Sequence, residues 1–261
     1  MTYGKRILWM SALFTCIWLS FPPGAAAQEL SGGQIMEKSY FREDGNDAEF
    51  KVEMILIDRR GRARDRTLMM YFKDYGNLRK TFLKFTEPAD IEGTKFLSWE
   101  TENGEETQYL YLPALGRSKR IVSSQRDLRF VNTDFTYEDM ERREPGQDTH
   151  RFLRDGESLN RPCFVVESVP KPDTSQYGKR VSWVTKDSFV VVAVDFYDTR
   201  EKKIKELRVK ELEEVEGIPT AMKTIMKDLK EDHRTVMKVE YVEYNQGLAD
   251  TLFTLSALER N

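Results

Sequence analysis

Two cysteines, two histidines and no glycine-rich phosphate loop set the first limits on this chain of 261 residues. Cys16 lies in an apolar run near the N-terminus, so Cys163 has no partner for an internal disulfide once a leader is removed. In "RPCFVVESV" the Cys163 thiol reads as a small buried hydrophobe. A structural zinc needs about four ligands, and one cysteine with His150 and His233, both expected in polar loops, does not supply them. No His-x-x-x-His, Cys-x-x-Cys or Gly-x-Ser-x-Gly occurs, which removes common signatures of zinc-protease, thiol-redox and serine-hydrolase chemistry. Nor is there a basic excess: 41 Lys and Arg stand against 44 Asp and Glu, giving a net charge of −3 and no support for nucleic-acid binding. Carboxylates are numerous enough to supply a glycosidase-like pair, but 44 acids spread across turns read as a solvated surface. The chain is therefore read as a non-enzyme, with no catalytic residue, metal or cofactor assigned.

A long apolar run is also missing. The one candidate, from Ile7 to about Phe21, follows Lys5 and Arg6 and is broken by Pro22-Pro23-Gly24. It is shorter than the ~20 residues a membrane span needs. A charged start, a short apolar stretch and Ala25-Ala26-Ala27 describe a cleavable signal peptide over residues 1–27. Loss of Lys5 and Arg6 takes the formal charge from −3 to −5. Residues 28–261 are expected to form one domain in an exported, periplasmic setting, as a monomer.

What the sequence does hold is alternation. After a short amphipathic helix marked by Ile35, Met36, Tyr40 and Phe41, "AEFKVEMILID" places Phe50, Val52, Met54 and Leu56 on one face of a strand. "RTLMMYFK" does the same with Leu68, Met70 and Phe72. Further strands are expected at 79–86, 95–101 and 106–112, with Asn103-Gly104 as a hairpin turn between the last two. In the second half, 161–169, 179–186, 189–198, 203–215, 219–228 and 235–245 follow the same habit, linked by "KDS", "DTRE" and "EDH". The charge-dense stretch 200–214 also suits a helix, but its hairpin-spaced neighbours favour a strand. Its charges read as solvent-facing pairs. The chain closes on a short helix or a last strand in "ADTLFTLSALER". About ten or eleven sequential antiparallel strands predict a mainly β fold, a strongly curved sheet or incomplete antiparallel barrel. Methionines on strands, among them Met54, Met70 and Met226, suit an irregular core or an adaptable apolar surface.

One segment stands apart. "QYLYLPALGRSKRIVSSQRDLRFVNTDFTYEDM" begins with a strand apolar on both faces, passes a basic turn and ends in aromatics set among acids. Together with "SWVTKDSFVVVAVDFYDTREKKIKEL" and "ADTLFTLSALER", it resembles the LolA-like outer-membrane lipoprotein-sorting family. The resemblance rests on Tyr111, Leu112, Pro113, Ala114, Leu115, Arg120 and Ile121, then Asp134, Phe135, Thr136, Tyr137, Glu138 and Asp139. It runs from about Gln34 to Arg260. It implies an incomplete barrel with helices or loops lidding an apolar cavity, and carriage of lipoprotein or lipid acyl chains toward the outer membrane. It further implies an inner-membrane transporter and an outer-membrane acceptor as partners. An accessory subunit of a lipid exporter of the resistance-nodulation-division type is the alternative.

On that basis the cavity is expected to be lined by Phe50, Val52, Met54, Leu56, Leu68, Met70, Phe72, Leu110, Leu112 and Trp183. Tyr109 and Tyr111 are expected outward, at a lid edge or rim, with Phe135 and Tyr137. Arg117, Lys119 and Arg120 would form a basic lip that pairs with Asp134, Glu138 or Asp139.

Overall fold

Alternation of apolar and polar residues commits each segment to a strand with one dry face, and hairpin-length turns commit neighbours to pair. In the structure, a computed structural model that describes residues 1–2, 29–102 and 106–260, thirteen strands form a single sheet, and all but the two edge strands follow this rule. Nearly all of the expected leader, and the Asn103-Gly104 turn, lie outside the described residues. The strands are β1 (Asp47–Ile57), β2 (Ala63–Tyr75), β3 (Leu78–Glu87), β4 (Lys95–Glu100), β5 (Glu106–Leu112), β6 (Arg117–Ile121) and β7 (Asp148–Ser158). They continue as β8 (Arg161–Pro170), β9 (Lys179–Thr185), β10 (Val191–Tyr197), β11 (Lys203–Val215), β12 (Ile218–Asp228) and β13 (His233–Tyr244). Their spatial order is β6-β5-β4-β3-β2-β1-β13-β12-β11-β10-β9-β8-β7, antiparallel throughout.

The first and last strands, β1 and β13, meet at the centre, and the edges are β6 and β7, which are consecutive in sequence. Residues 122–147 must therefore travel from one edge to the other. They do so across one face of the sheet, and the sheet bends around them. Gln108 on β5 donates to the Tyr137 carbonyl at 3.0 Å, while the next residue, Glu138, is bound by Arg180 on β9. Those strands are nine steps apart in the sheet order. A flat sheet would separate them by ~43 Å at ~4.8 Å per step. Two adjacent residues reach both, so the sheet is curled into an incomplete barrel with 122–147 inside it.

The count exceeds the expected ten or eleven strands by β6 and β7, the two edge strands. Neither has a clean apolar face: β6 reads "RSKRI", and β7 carries a bulge between Phe152 and Arg154 that breaks its alternation. Charged, irregular edges discourage pairing with other chains, and the same traits hide them from a search for apolar periodicity. Helix α1 (Gly32–Tyr40) begins with a capping box, Ser31 accepting from the Gln34 amide and Gln34 from the Ser31 amide. Its Ile35 is fully buried against Val166 and Val184, on the inner face near the β7 edge. A Cβ on Gly32 would lie 2.6 Å from the Phe152 backbone nitrogen, so the helix seats on β7 only through glycine. Helix α2 (Leu255–Glu259) and the turn Asp250–Phe253 cover the outer face of β2 to β5, burying Phe253 and Leu258 against Phe82, Leu97 and Tyr111.

Candidate functional site

The inner face is mostly filled, and the filling comes from the crossing segment. Phe50, Val52, Met54, Leu56, Leu68 and Phe72 share one buried cluster, with Met70 and Leu110 packed against it. Register explains the grouping, since Phe50 faces Met70, Val52 faces Leu68 and Leu110 faces Phe96 across adjacent strands. Into this cluster the segment inserts Phe130, Phe135 and Tyr137. The Phe130 ring lies 5.2 Å from Phe96 and 5.7 Å from Tyr137, both edge-on. Phe135 and Tyr137 are thus interior side chains and not rim residues. Leu112 is half-buried and lies outside the cluster.

Two further expectations change. Trp183 points outward, because its neighbour Ser182 faces Val194 on the inner side; it joins Cys163, Val190, Val192 and Val209 on the outer face. Burial also pushes the Cys163 thiol pKa up, keeping it protonated in that cluster. Tyr109 and Tyr111 do point outward, but the C-terminal segment covers them, far from any lid of the interior. The strand apolar on both faces is explained by that arrangement: Leu110 serves the core and Tyr111 serves the outer cover.

The basic lip does not pair with the acids. Arg117, Lys119 and Arg120 are exposed on β6, while Asp134, Glu138 and Asp139 find partners on the opposite half of the sheet. Asp134 accepts from Thr235 Oγ1 at 2.7 Å and sits 2.7 Å from His233 Nδ1. Glu138 binds Arg180, Ser175 and, at 2.9 Å, the Gln176 amide. Asp139 accepts from Lys205 Nζ at 2.8 Å, Tyr177 OH at 2.8 Å and the Thr136 amide at 2.8 Å. Burial, reinforced by Asp139, holds the Tyr177 phenol well above its ordinary pKa and so neutral. His233 is on β13 and His150 on β7, so neither is a loop residue. Among the described residues no cluster of His, Cys, Asp and Glu is placed to hold a metal ion.

Where the segment leaves the core, the described residues enclose an apolar hollow. It has a volume of about 290 Å³ and lies between α1, the inner face of β8 to β12 and residues 138–145. Its apolar wall is Met36, Val191, Val194, Phe196, Leu207 and Met226. Polar groups line the rest of it: Arg143, Arg180, His150 and Ser168, with the carboxylates of Glu138, Asp139, Glu141, Glu144 and Asp148. Arg143 is held by Asp148 at 2.6 Å, and His150 Nδ1 lies 2.8 Å from Ser168 Oγ. Arg180 Nη1 is buried 3.8 Å from Asp148 Oδ2, with no hydrogen-bond partner among the described residues.

Beside the hollow, the segment is pinned by carboxylates in costly places. Burial, aided by the nearby Glu141, pushes the Glu106 pKa up to about 7. Glu141 is itself raised by burial, which the bound Arg126 opposes. Arg142 stacks 3.8 Å over the Tyr40 ring and donates to the Tyr40 carbonyl at 2.7 Å, tying the segment to α1.

Of the wall residues on β10 to β12, only Met226 was marked by the sequence, as a methionine on a strand; those on β10 and β11 escaped it because the inner positions there mix polar with apolar. Lys205 is in phase with Leu207, and Arg180 with Ser182 and Val184. A charged residue in phase with apolar positions on a strand is the available signal: it marks an inward charge that needs an acid, here Asp139 and Glu138.

Residues 77–260 match a family model described as an uncharacterized protein. Among solved structures, a putative outer membrane lipoprotein-sorting protein domain from Vibrio parahaemolyticus is 28% identical, with a TM-score of 0.83, and the match covers 88% of this chain and 98% of that one. A DUF1329 family protein from Desulfovibrio piger is 25% identical, with a TM-score of 0.82 and coverage of 87% and 97%. A LolA superfamily protein from Nitrosomonas europaea, 19% identical over 87% and 98%, shares the fold with a TM-score of 0.67. No curated protein matches the chain.

Proposed function

We propose that this chain, which belongs to the family whose model matches residues 77–260 and shares its fold with a lipoprotein-sorting domain and a LolA superfamily protein, is a periplasmic carrier that buries acyl chains of lipoproteins or lipids and passes them toward the outer membrane. The observation that carries this reading is the apolar hollow walled by Met36, Val191, Val194, Phe196, Leu207 and Met226. No covalent step is required. At about 30 Å³ per water-sized unit, 290 Å³ accommodates roughly ten methylenes. Burying those stabilises a bound chain by about 8 kcal/mol at ~0.8 kcal/mol each. That is enough to shield cargo in water and weak enough to release it to an acceptor.

Native mass spectrometry of the mature protein, isolated gently from periplasm and followed by solvent extraction, tests the reading. A stoichiometric acylated species is expected. Val191→Trp, which fills the hollow from a half-buried strand position, should reduce uptake of a fluorescent fatty acid at least tenfold while leaving the β-type circular dichroism unchanged. A protein that is empty and takes up no fatty acid refutes the carrier, and leaves an accessory subunit of an exporter as the reading to pursue.

A further inference from the structure

We propose that the arginine-rich hairpin joining β1 to β2 is a docking surface for anionic phospholipid headgroups, whatever the interior hollow holds. Arg59, Arg60 and Arg62 are exposed in the turn and Arg64 at the start of β2, where the acids are Asp58 and the exposed Asp65. Only Arg62 has an acidic partner, Asp58 at 2.6 Å. The side chains of Arg59, Arg60 and Arg64 make no ion pair or hydrogen bond among the described residues. Pairing of β1 with β2 continues to Ile57 opposite Ala63, whereas β3 stops opposite Thr67. The turn therefore overhangs the sheet on the β3 side.

The cationic surface extends onto a second element. Arg129 of the crossing segment shares a hollow of about 330 Å³ with Asp58, Arg59, Arg60, Arg62, Glu231 and His233, the last held by Asp134. Arg129 is fixed there by Asp228 at 2.8 Å. Two exposed leucines flank that pair, Leu128 before Arg129 and Leu229 after Asp228. Guanidinium groups bind phosphate oxygens in bidentate fashion, and leucines among them can seat at the boundary of headgroups and acyl chains. A protein partner would call for an apolar patch core, and two separate leucines do not make one. Since the whole chain is net −3, the positive charge is local, and an anionic surface would orient the molecule with this end toward it.

The test is sedimentation of the full chain with vesicles of phosphatidylcholine alone or mixed with phosphatidylglycerol, at low salt and at about 0.5 M salt, where charges are screened within a few ångströms. Strong, salt-sensitive binding to the mixed vesicles alone is expected. Each arginine at such a surface contributes roughly fivefold, so the triple variant Arg59→Gln, Arg60→Gln, Arg64→Gln should lower partition about a hundredfold. Removing the same charge from β6 with Arg117→Gln, Lys119→Gln and Arg120→Gln should change it less than fivefold. Both variants alter exposed side chains, and an unchanged melting temperature confirms that each is folded. Equal binding to neutral vesicles, or equal losses from the two triple variants, overturns the proposal. So does absence of binding, which would leave the hairpin as a surface for an acidic protein.

Discussion

Replacing Lys205 by methionine tests whether charge holds the crossing segment in the barrel. The substitution keeps an unbranched chain one atom shorter and deletes the ammonium that meets Asp139 Oδ2 at 2.8 Å. Both side chains are nearly out of water, at 9% and 3% exposure. Breaking a buried pair by removing one partner costs about 3–5 kcal/mol, because the other charge stays buried. Asp139 keeps donors in Tyr177 and Thr136, which places the loss at the lower end, about 3 kcal/mol. For a domain of this size that is a drop of roughly 6–12 °C in Tm. Asp139→Asn alone should cost a similar amount, by stranding Lys205. The double variant should lose well under the sum, since neither charge is then left alone. Urea unfolding of the wild type, both single variants and the double variant at pH 7 gives the coupling, expected at about 2 kcal/mol or more. Additivity within ~0.5 kcal/mol would mean that packing alone retains the segment, and the argument from paired inward charges would fail.

Other consequences are as direct. Phe130→Ala removes a fully buried ring from between Phe85, Phe96 and Tyr137 and should cost about 3–5 kcal/mol in global stability; a loss below ~1 kcal/mol would show that the segment is not part of the cooperative core. Glu106, whose pKa rises from 4.5 to about 7 on folding, holds its proton more tightly folded than unfolded. Its contribution is therefore fully present below pH ~4.5 and is lost as pH rises through ~7, by up to about 3 kcal/mol. Glu106→Gln should flatten that part of the stability–pH curve, and an unchanged slope would rule the assignment out. Asp47, buried, accepts the amides of Gln246, Gly247 and Leu248. Asp47→Ala should cost about 3 kcal/mol and speed amide exchange across 246–258 before the rest of the sheet.

Most of the sheet was legible because a strand with one dry face writes that face into every second residue. Phe50 to Leu56 and Leu68 to Phe72 declared their side, and Tyr109 to Leu112 declared two apolar faces. The contest over 203–215 also went to strand, as hairpin spacing required. The edge strands were illegible because an edge needs no continuous apolar face, and a bulge in β7 erases what alternation there was.

Sequence by itself determined the β class, the direction of most side chains, the inert buried cysteine and the absence of the usual enzyme motifs. Only the tertiary structure decided what occupies the inside. Local periodicity says that a face avoids water without saying what covers it. Covering was settled by closure: with β1 and β13 paired at the centre, the chain between β6 and β7 had to cross the barrel. Its aromatics then took the core beside Phe50 and Phe96, and its acids met Arg180, Lys205 and His233. Those pairs are separated by 42, 66 and 99 residues in the chain. Contacts at such range depend on how the sheet curls, and no stretch of sequence short enough to read as a motif contains them.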